Sequence, residues 1–253
     1  MGSNILCDNV LIGATIVSDD SEVNYPFANA INNGTAQQVG FNGQTNHVIL
    51  DLLTTHTIDS IGIAKHNIYS ASSGVGYIAV SKGDTSSGPW TEIVRLTPSS
   101  DAVSLNSSTL AYGGVQYLRI TVENNPTPTQ DIYIGNITVG DKIEISDGQY
   151  IGFTEPKNSN KYKLISNITR GGEIVGIMRE AKAVKCKVQA KHLTKTWVDS
   201  NWPNIAECIS KYPFYFEWEN GAQPIYGWAS NVTPPSFTTI NRQEFSIDME
   251  GMI

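Results

Sequence analysis

The chain has 253 residues, which is enough for one large β domain or two modest ones, each with its own core. Charged residues make up 16% of the chain and the net charge is −7, so the composition excludes a basic surface for nucleic acid. No apolar segment approaches the roughly 18 residues that span a membrane, and the N-terminal sequence lacks the pattern of a secretory signal.

The charge is divided unevenly between the two halves of the chain. Residues 1–140 carry 4 Lys/Arg against 11 Asp/Glu, whereas residues 141–253 carry 13 of each sign. A break of this kind is typical of two domains with different surfaces. We therefore predict one domain over residues 1–140 and a second over residues 141–253.

The first half predicts short strands separated by turn-rich segments. The segments SASSG, GDTSSGP, TPSSD and NNPTPTQ are rich in residues that favour turns. Helical periodicity is almost absent, so we predict an antiparallel β-sandwich. The predicted strands are His47–Leu53, Asp59–Lys65, Gly76–Lys82, Trp90–Leu96, Val115–Glu123 and Asp131–Val139.

Three of the four histidines lie in one stretch, which raises the question of an active site. In HVILDL and IDSIGIAKH, however, the polar residues scatter over both strand faces and over strand ends. Side chains that do not point to a common position make a poor catalytic site. We therefore interpret His47, His56 and His66 as structural residues.

Four aromatic residues lie in or beside predicted loops of the first half, where each offers a ring face to a sugar. Each of them is equally able to close an end of the sandwich by packing. The candidate ligand-binding residues are Tyr25, Tyr69, Trp90 and Tyr112.

The second half predicts a unit of mixed structure. In AKAVKCKVQAK, apolar residues alternate with Lys185, Lys187 and Lys191, which predicts a half-buried strand with Cys186 in the core. A helix is predicted near residues 194–212, with Pro203 in its first turn. FYFEW, IYGWAS and EFSIDMEG predict further strands, so we expect a β-barrel or sandwich carrying one prominent helix.

No catalytic motif or cofactor fingerprint is present, and we expect neither an enzyme nor a bound cofactor. Asp19, Asp20 and Glu22 suggest oxygen ligands for a structural calcium ion, although a solvated loop is the simpler interpretation. Glu217 and Glu219 suggest an acid/base pair. They share one strand face close to a turn, however, so a structural role is favoured.

The cysteines Cys7, Cys186 and Cys208 are odd in number and show no CxxC spacing. This pattern argues against a disulfide scaffold and against a zinc site. It favours folding in a reducing compartment.

Several segments of the first half resemble the discoidin, or coagulation factor 5/8 C-type, domain. They are YPFANAINNGT, HVILDL, IDSIGIAKHNI, GYIAVSKGDTSSGPWTEI, YLRITV and IYIGNITVG, in that order. The resemblance covers about residues 14–140 and implies a galactose-binding-like jelly-roll sandwich. The pair of cysteines that often brackets secreted members is absent, so sugar or lipid-headgroup binding follows only by analogy of fold.

This domain, followed by PFYFEW, YGW and a terminal FSIDMEG, resembles structural proteins of bacteriophage tails. In that group the second part resembles the small β-barrel with a flanking helix of tail-tube and distal-tail proteins, which form rings. The resemblance implies a virion protein of the distal tail or tail tip, assembled in the host cytoplasm. Its expected partners are further copies in a homo-oligomeric ring and other tail proteins.

The alternative function is a carbohydrate-binding module that contacts glycan on the host surface. In the ring interpretation the sandwich projects outward, and Lys185, Lys187 and Lys191 are the candidate interface residues. They would meet acidic residues of a neighbouring subunit, although a solvated strand face explains them equally well.

Overall fold

The structure is a computed structural model that describes residues 2–32, 34–125, 130–145, 153, 155, 160–168, 174–219 and 221–253. Of residues 160–168 and 174–182 it describes the backbone alone. The elements in chain order are β1 (Ser3–Leu6), β2 (Thr15–Asp19), α1 (Ala28–Ile31), β3 (Val39–Phe41), β4 (Thr45–His66), α2 (Ile68–Ala71), β5 (Tyr77–Gly83), β6 (Trp90–Leu96), β7 (Ser104–Glu123), β8 (Ile132–Gly140), β9 (Ile143–Ile145), β10 (Asn160–Ile168), β11 (Ile174–Thr194), α3 (Lys195–Lys211), β12 (Phe214–Glu217), β13 (Ile225–Thr239) and β14 (Arg242–Met252). Among the helices of these ranges, none has the length and apolar character needed to cross a bilayer.

Two long strands, β4 and β7, build the first unit because each of them runs through both layers of a sandwich. Residues 45–51 and 117–123 of these strands join β2, β5 and β6 in the first layer. Residues 58–66 and 104–112 join β3 and β8 in the second layer. The predicted antiparallel sandwich is confirmed, and two of its predicted strands are one bent strand with Leu53, at a left-handed φ of 65°, beside the bend.

The burial pattern of β4 shows what covers each layer. Val48 and Leu50 point into the core between the layers, and the residues that alternate with them are half-buried on the outer face of the first layer. Residues 58–64 are buried without interruption. The reason is that Gly62 and Ala64 face the second unit, which packs on the outer face of the second layer.

The second unit is an open antiparallel sheet backed by α3. Its strand order is β10-β11-β14-β13-β12-β1-β9. One sheet face packs on α3 through a core that includes Val188, Ile205, Phe216 and Ile247. The predicted strands and the one prominent helix are therefore present, but within the described part of the chain the sheet does not close into a barrel.

Helix α3 begins further upstream than the position of Pro203 suggested. The hydroxyl of Thr194 accepts a hydrogen bond from the Trp197 N–H at 3.2 Å and caps the first turn. Pro203 lies inside the helix and not in its first turn, so that prediction was wrong. The first turn is set by the threonine cap, while buried residues such as Ile205 hold the helix on the sheet beyond the proline.

Strand β1 lies in the second sheet, between β12 and β9, although it comes from the start of the chain. Immediately after β1 the chain enters the sandwich. The Val10 N–H donates to the Val139 carbonyl at 2.9 Å, and the Asn9 amide donates to the Ile137 carbonyl at 3.1 Å. The division at residue 140 stays a prediction, and the second sheet takes strands from both sides of it.

The two units share a buried interface. A Cβ atom on Gly62 would lie 2.9 Å from the ring of Tyr215, so the ring of β12 rests directly on the backbone of β4. The Lys142 N–H also donates to Asp59 Oδ1 at 3.0 Å across the junction. The buried apolar residues of the interface are Leu6, Ala64, Val103, Tyr215 and Tyr226.

Candidate ligand-binding site

The four predicted ligand-binding aromatics lie at two opposite ends of the sandwich. Tyr25, in the β2–β3 connection, and Tyr69, in α2, lie at the end where β5 and β8 begin. Trp90, at the start of β6, and Tyr112, opposite Ile58 near the bend of β4, lie at the other end. The structure therefore does not bring the four residues into one site.

Three side chains meet above Gly40. This glycine lies opposite Tyr133 where β3 pairs with β8. A Cβ atom on Gly40 would lie 2.8 Å from Glu22 Oε1, 3.0 Å from the Tyr133 ring and 3.1 Å from the Tyr25 Cβ. A larger residue would collide with all three side chains. We call Glu22, Tyr25, Gly40, Asp131 and Tyr133 the tyrosine cluster.

The loop that carries Glu22 and Tyr25 is bound to the edge of β3. The Glu22 N–H donates to the Gly40 carbonyl at 2.9 Å, and the Gly40 N–H donates to the Tyr25 carbonyl at 3.0 Å. These backbone bonds hold both side chains over the glycine. The cluster is therefore positioned by main-chain pairing.

The carboxylates of Asp19 and Asp20 hold the same loop from its other side. Asp19 accepts hydrogen bonds from the N–H groups of Ser21 at 2.8 Å and Phe27 at 3.3 Å. Asp20 accepts from the His47 N–H at 2.9 Å. Among the described residues, no group of three or more His, Cys, Asp or Glu side chains is placed to hold a metal ion. The suggested calcium site thus gains no support.

Tyr25 and Tyr133 form an edge-to-face pair with ring centroids 5.3 Å apart and an interplanar angle of 74°. The Tyr25 side chain is 42% exposed. Burial, followed by the charges of Glu22 and Asp131, raises the pKa of Tyr133. Its hydroxyl therefore stays protonated at neutral pH and donates to Asp131 Oδ2 at 3.4 Å.

One polar atom of the tyrosine cluster has no partner. Glu22 Oε1 is buried and accepts no hydrogen bond from the described residues. A buried oxygen in this state costs free energy until a donor reaches it. The cluster thus combines an exposed aromatic ring with an unmatched acceptor, which are two elements of a site for a polar ligand.

Asn67 connects the tyrosine cluster to the segment that carries Tyr69. Its Oδ1 accepts a hydrogen bond from the Tyr133 N–H at 2.6 Å, and its Nδ2 donates to the Asp131 carbonyl at 3.0 Å. Tyr69 follows two residues later, is 44% exposed and packs beside Gly74. It lies in the neighbouring helix α2, outside the tyrosine cluster.

The sequence pattern did not single out Gly40, Asp131 or Tyr133. A signal for Tyr133 exists in IYIGNITVG, where the tyrosine lies between two isoleucines that are buried in the sandwich core. Alternation therefore indicates an outward-facing aromatic ring. Its pairing with Gly40 depends on strand register, which the sequence does not show.

At the opposite end of the sandwich the Trp90 ring is partly buried against its own chain. Cβ atoms on Gly83 and on Gly88 would each lie 2.9 Å from it, and the guanidinium of Arg119 lies 5.3 Å from the ring centroid. Arg119 Nε is buried without a hydrogen-bond partner among the described residues. Tyr112 packs against the sandwich core. These aromatic side chains are engaged by the protein itself.

Two lysines of β11, Lys185 and Lys187, lie opposite acidic residues of their own chain. Lys185 forms an ion pair with Glu250 of β14, and Lys187 lies opposite Asp248 of the same strand. The proposed part of Lys185, Lys187 and Lys191 in a subunit interface stays a prediction.

The remaining titratable candidates are dispersed. His47 and His56 hydrogen-bond to threonine hydroxyls at 3.1 and 2.9 Å. His66 Nε2 lies 2.6 Å from a backbone carbonyl, and burial lowers the pKa of this histidine. Burial raises the pKa of Glu217, whose carboxylate accepts from the Asn4 amide at 2.7 Å and from a backbone N–H at 3.0 Å.

No known protein family and no curated protein matches this chain. Among solved structures, the chain is similar to the CBM32 module of AlyQ in complex with 4,5-unsaturated mannuronic acid. The identity is 21%, the match covers 53% of this chain and 96% of that module, and the TM-score is 0.39.

Two further similar structures are modules of bacterial proteins. A CBM32 module produced by Clostridium perfringens is 16% identical over 52% of this chain and 98% of its own length, with a TM-score of 0.39. Chitosan-binding module 1 of a Paenibacillus sp. IK-5 chitosanase/glucanase is 14% identical over 53% of this chain and 99% of its own length, with a TM-score of 0.41. Likenesses of this size establish neither a family nor a function for the chain.

Proposed function

We propose that the protein is a non-catalytic carbohydrate-binding protein whose sandwich holds a sugar at the tyrosine cluster. The observation that carries this proposal is the unpartnered, buried Glu22 Oε1 beside the exposed ring of Tyr25. A sugar presents an apolar ring face and hydroxyl donors together. The first suits stacking on Tyr25, and the second suits the free acceptor of Glu22.

The charges around the tyrosine cluster indicate which sugars bind best. Glu22 and Asp131 are both acidic, and residues 1–140 carry the whole excess of negative charge. An acidic sugar would be repelled by this field, whereas a neutral sugar or an amino sugar would not. We therefore expect neutral or amino sugars to bind more tightly than uronic or sialic acids.

The proposal is tested with the purified full chain on a glycan array, followed by titration calorimetry with the best neutral, amino and acidic sugars. We expect saturable binding that free monosaccharide competes away, with acidic sugars bound least. Absence of binding to every glycan class would contradict the proposal.

A second candidate function is the one implied by the bacteriophage resemblance, a subunit of a tail ring. The observation that favours it is the outer edge of β13. This strand pairs with β14 along most of its length but with β12 only at residues 225–227, and no other described strand covers the rest of that edge. An open edge strand is able to pair with another chain.

Light scattering on the purified protein tests this second candidate. A closed assembly of three or six copies, disrupted by Val232→Lys in β13, would favour a ring subunit. A monomer at all concentrations, unchanged by the substitution, would argue against assembly of this chain on its own.

A further inference from the structure

Two of the three cysteines meet where β1 approaches α3. Cys7 directly follows β1, and Cys208 lies in the last turn of α3. The Cys208 thiol donates a hydrogen bond to the carbonyl oxygen of Cys7, and both residues are buried. The third cysteine, Cys186, lies in β11 in a separate part of the second sheet.

A disulfide between Cys7 and Cys208 depends on how close their backbones are. Such a bond needs Cα atoms less than about 7 Å apart. Between the Cα atoms of Cys7 and Cys208 lie only one carbonyl group, one hydrogen bond and one thiol side chain. The Cys208 sulfur is therefore held against the backbone of Cys7. A side-chain hydrogen bond with Cys7, followed by burial, raises the pKa of the Cys208 thiol.

The pair also lies beside a route from solvent. Cys7 and Cys208 both line a cavity of about 520 Å³ between α3 and the start of the sandwich. Asp141, Lys142 and Lys211 line the same cavity. Both cysteines therefore border a cavity with polar walls, which is the side from which a small disulfide reagent would approach them.

We propose that Cys7 and Cys208 form an intramolecular disulfide when the protein meets an oxidising thiol–disulfide couple such as glutathione. The thiolate of one cysteine attacks glutathione disulfide and releases one glutathione thiolate. The second cysteine thiolate then attacks the mixed disulfide and releases another. Two electrons pass from the protein to glutathione disulfide, and the two cysteine protons end on the two glutathione thiols.

The environment of the pair determines the rate of this reaction. Because the pKa of Cys208 is raised, few of its thiols are ionised at neutral pH. Oxidation of the folded protein should therefore be slow and should accelerate as the pH rises. During refolding both cysteines are exposed, so the raised pKa of Cys208 no longer slows oxidation.

The bond would tie β1 to α3 and leave Cys186 as the free thiol. Burial alone raises the pKa of Cys186 to about 12. This thiol therefore stays protonated and serves as an internal reference. The odd cysteine count is compatible with one disulfide and one core cysteine, which the spacing in the sequence did not indicate.

The experiment uses the full chain in two arms. In one arm the folded protein is incubated with glutathione disulfide at pH 8.5, and in the other it is refolded from denaturant in a glutathione redox buffer. Peptide mapping without reduction, thiol titration and intact mass follow. We expect a Cys7–Cys208 peptide, a fall from three thiols to one, and a loss of two hydrogens.

The oxidised protein should also unfold at a temperature higher by at least about 5 °C, and dithiothreitol should abolish this shift. Cys186→Ser should retain the bond, whereas Cys7→Ser and Cys208→Ser should lose it. Absence of the Cys7–Cys208 peptide from both arms, or a bond that involves Cys186, would overturn the proposal. The mapping of the unaltered chain decides the result even where a serine variant fails to fold.

Discussion

The hydroxyl of Tyr215 in β12 donates a hydrogen bond to Asn136 Oδ1 in β8 at 2.9 Å. Both residues are almost completely buried, so this bond joins the second sheet to the sandwich inside the shared interface. The ring of the same tyrosine rests on Gly62. The Tyr215 side chain therefore contacts the sandwich through both its ring and its hydroxyl.

We expect Tyr215→Phe to lower the free energy of unfolding by about 1 kcal/mol, because a buried hydrogen bond is lost while Asn136 keeps its bond from Thr138 at 3.1 Å. Denaturant unfolding measures the change. A double-mutant cycle with Asn136→Ala should give a coupling energy of about 0.5–1.5 kcal/mol. A coupling energy near zero would show that the bond does not stabilise the interface.

Substitution of Gly62 by alanine should be more damaging. The new Cβ atom would lie 2.9 Å from the Tyr215 ring in a fully packed interface, and we expect a loss of about 1–3 kcal/mol in unfolding free energy. Gly113→Ala is the matched control, because a Cβ atom there meets only Thr57 Oγ1 at 3.9 Å. Equal effects of the two substitutions would contradict the packing argument.

Sugar binding should depend on Tyr25. Tyr25→Ala removes the exposed ring of the tyrosine cluster, and we expect the dissociation constant for the best sugar to rise at least about tenfold, or 1.4 kcal/mol. Trp228→Ala is the control, since Trp228 is 53% exposed on the second sheet and far from the cluster in the fold. Calorimetry on both variants decides whether the loss is specific to Tyr25.

Glu22→Gln should weaken sugar binding without lowering the stability of the protein. The amide removes the negative charge beside the unpartnered Oε1, and we expect the unfolding free energy to stay equal or rise by up to about 1 kcal/mol. Binding of the same sugar should weaken about threefold to tenfold, because a hydrogen bond to a charged acceptor is replaced by a neutral one. A variant that loses stability while binding is unchanged would place Glu22 among the structural residues.

Stability should depend on pH through Glu217. Burial raises the pKa of this residue above its ordinary value of 4.5, so its contribution to stability is complete below that pH and is lost as the pH rises through the folded value. The unfolding free energy of the native chain minus that of Glu217→Gln should therefore fall as the pH increases from 4.5.

Glu207→Gln provides the control for this pH dependence. A hydrogen bond from Lys211 lowers the pKa of Glu207, so the corresponding difference should grow with pH. Unfolding by denaturant across pH 4 to 8 measures both differences. The same sign for the two residues would contradict the assignment.

The sequence predicts the strands of the sandwich because their apolar residues alternate, as Val48 and Leu50 do in β4. It does not predict that β4 continues through residues 53–57. That segment is polar and looks like a loop. Its ends are held by pairing with β7, at Asp51 on one side and from His56 onward on the other, and β7 is distant in the chain. Pairing between distant strands is a tertiary effect that local patterns do not contain.

The sequence also predicts the candidate site only in part, for the same reason. Tyr25 and Glu22 are visible in the sequence as a loop aromatic and a loop acid. Their meeting with Tyr133 depends on the register that sets this residue opposite Gly40. The sequence therefore indicated two members of the tyrosine cluster, whereas the contact between its members depends on strand pairing.

The position of β1 gives the chain a particular order of assembly. Its partner strands β9 and β12 follow only after the whole sandwich, and the segments entering and leaving the sandwich touch, since a Cβ atom on Gly140 would lie 2.1 Å from the Asp8 carbonyl oxygen. The sandwich is thus arranged as an insertion into the second unit. Replacing the sandwich with a short linker from Asp8 to Asp141 should therefore leave the second unit able to fold. During synthesis, β1 cannot pair with β12 until the last third of the protein has been made.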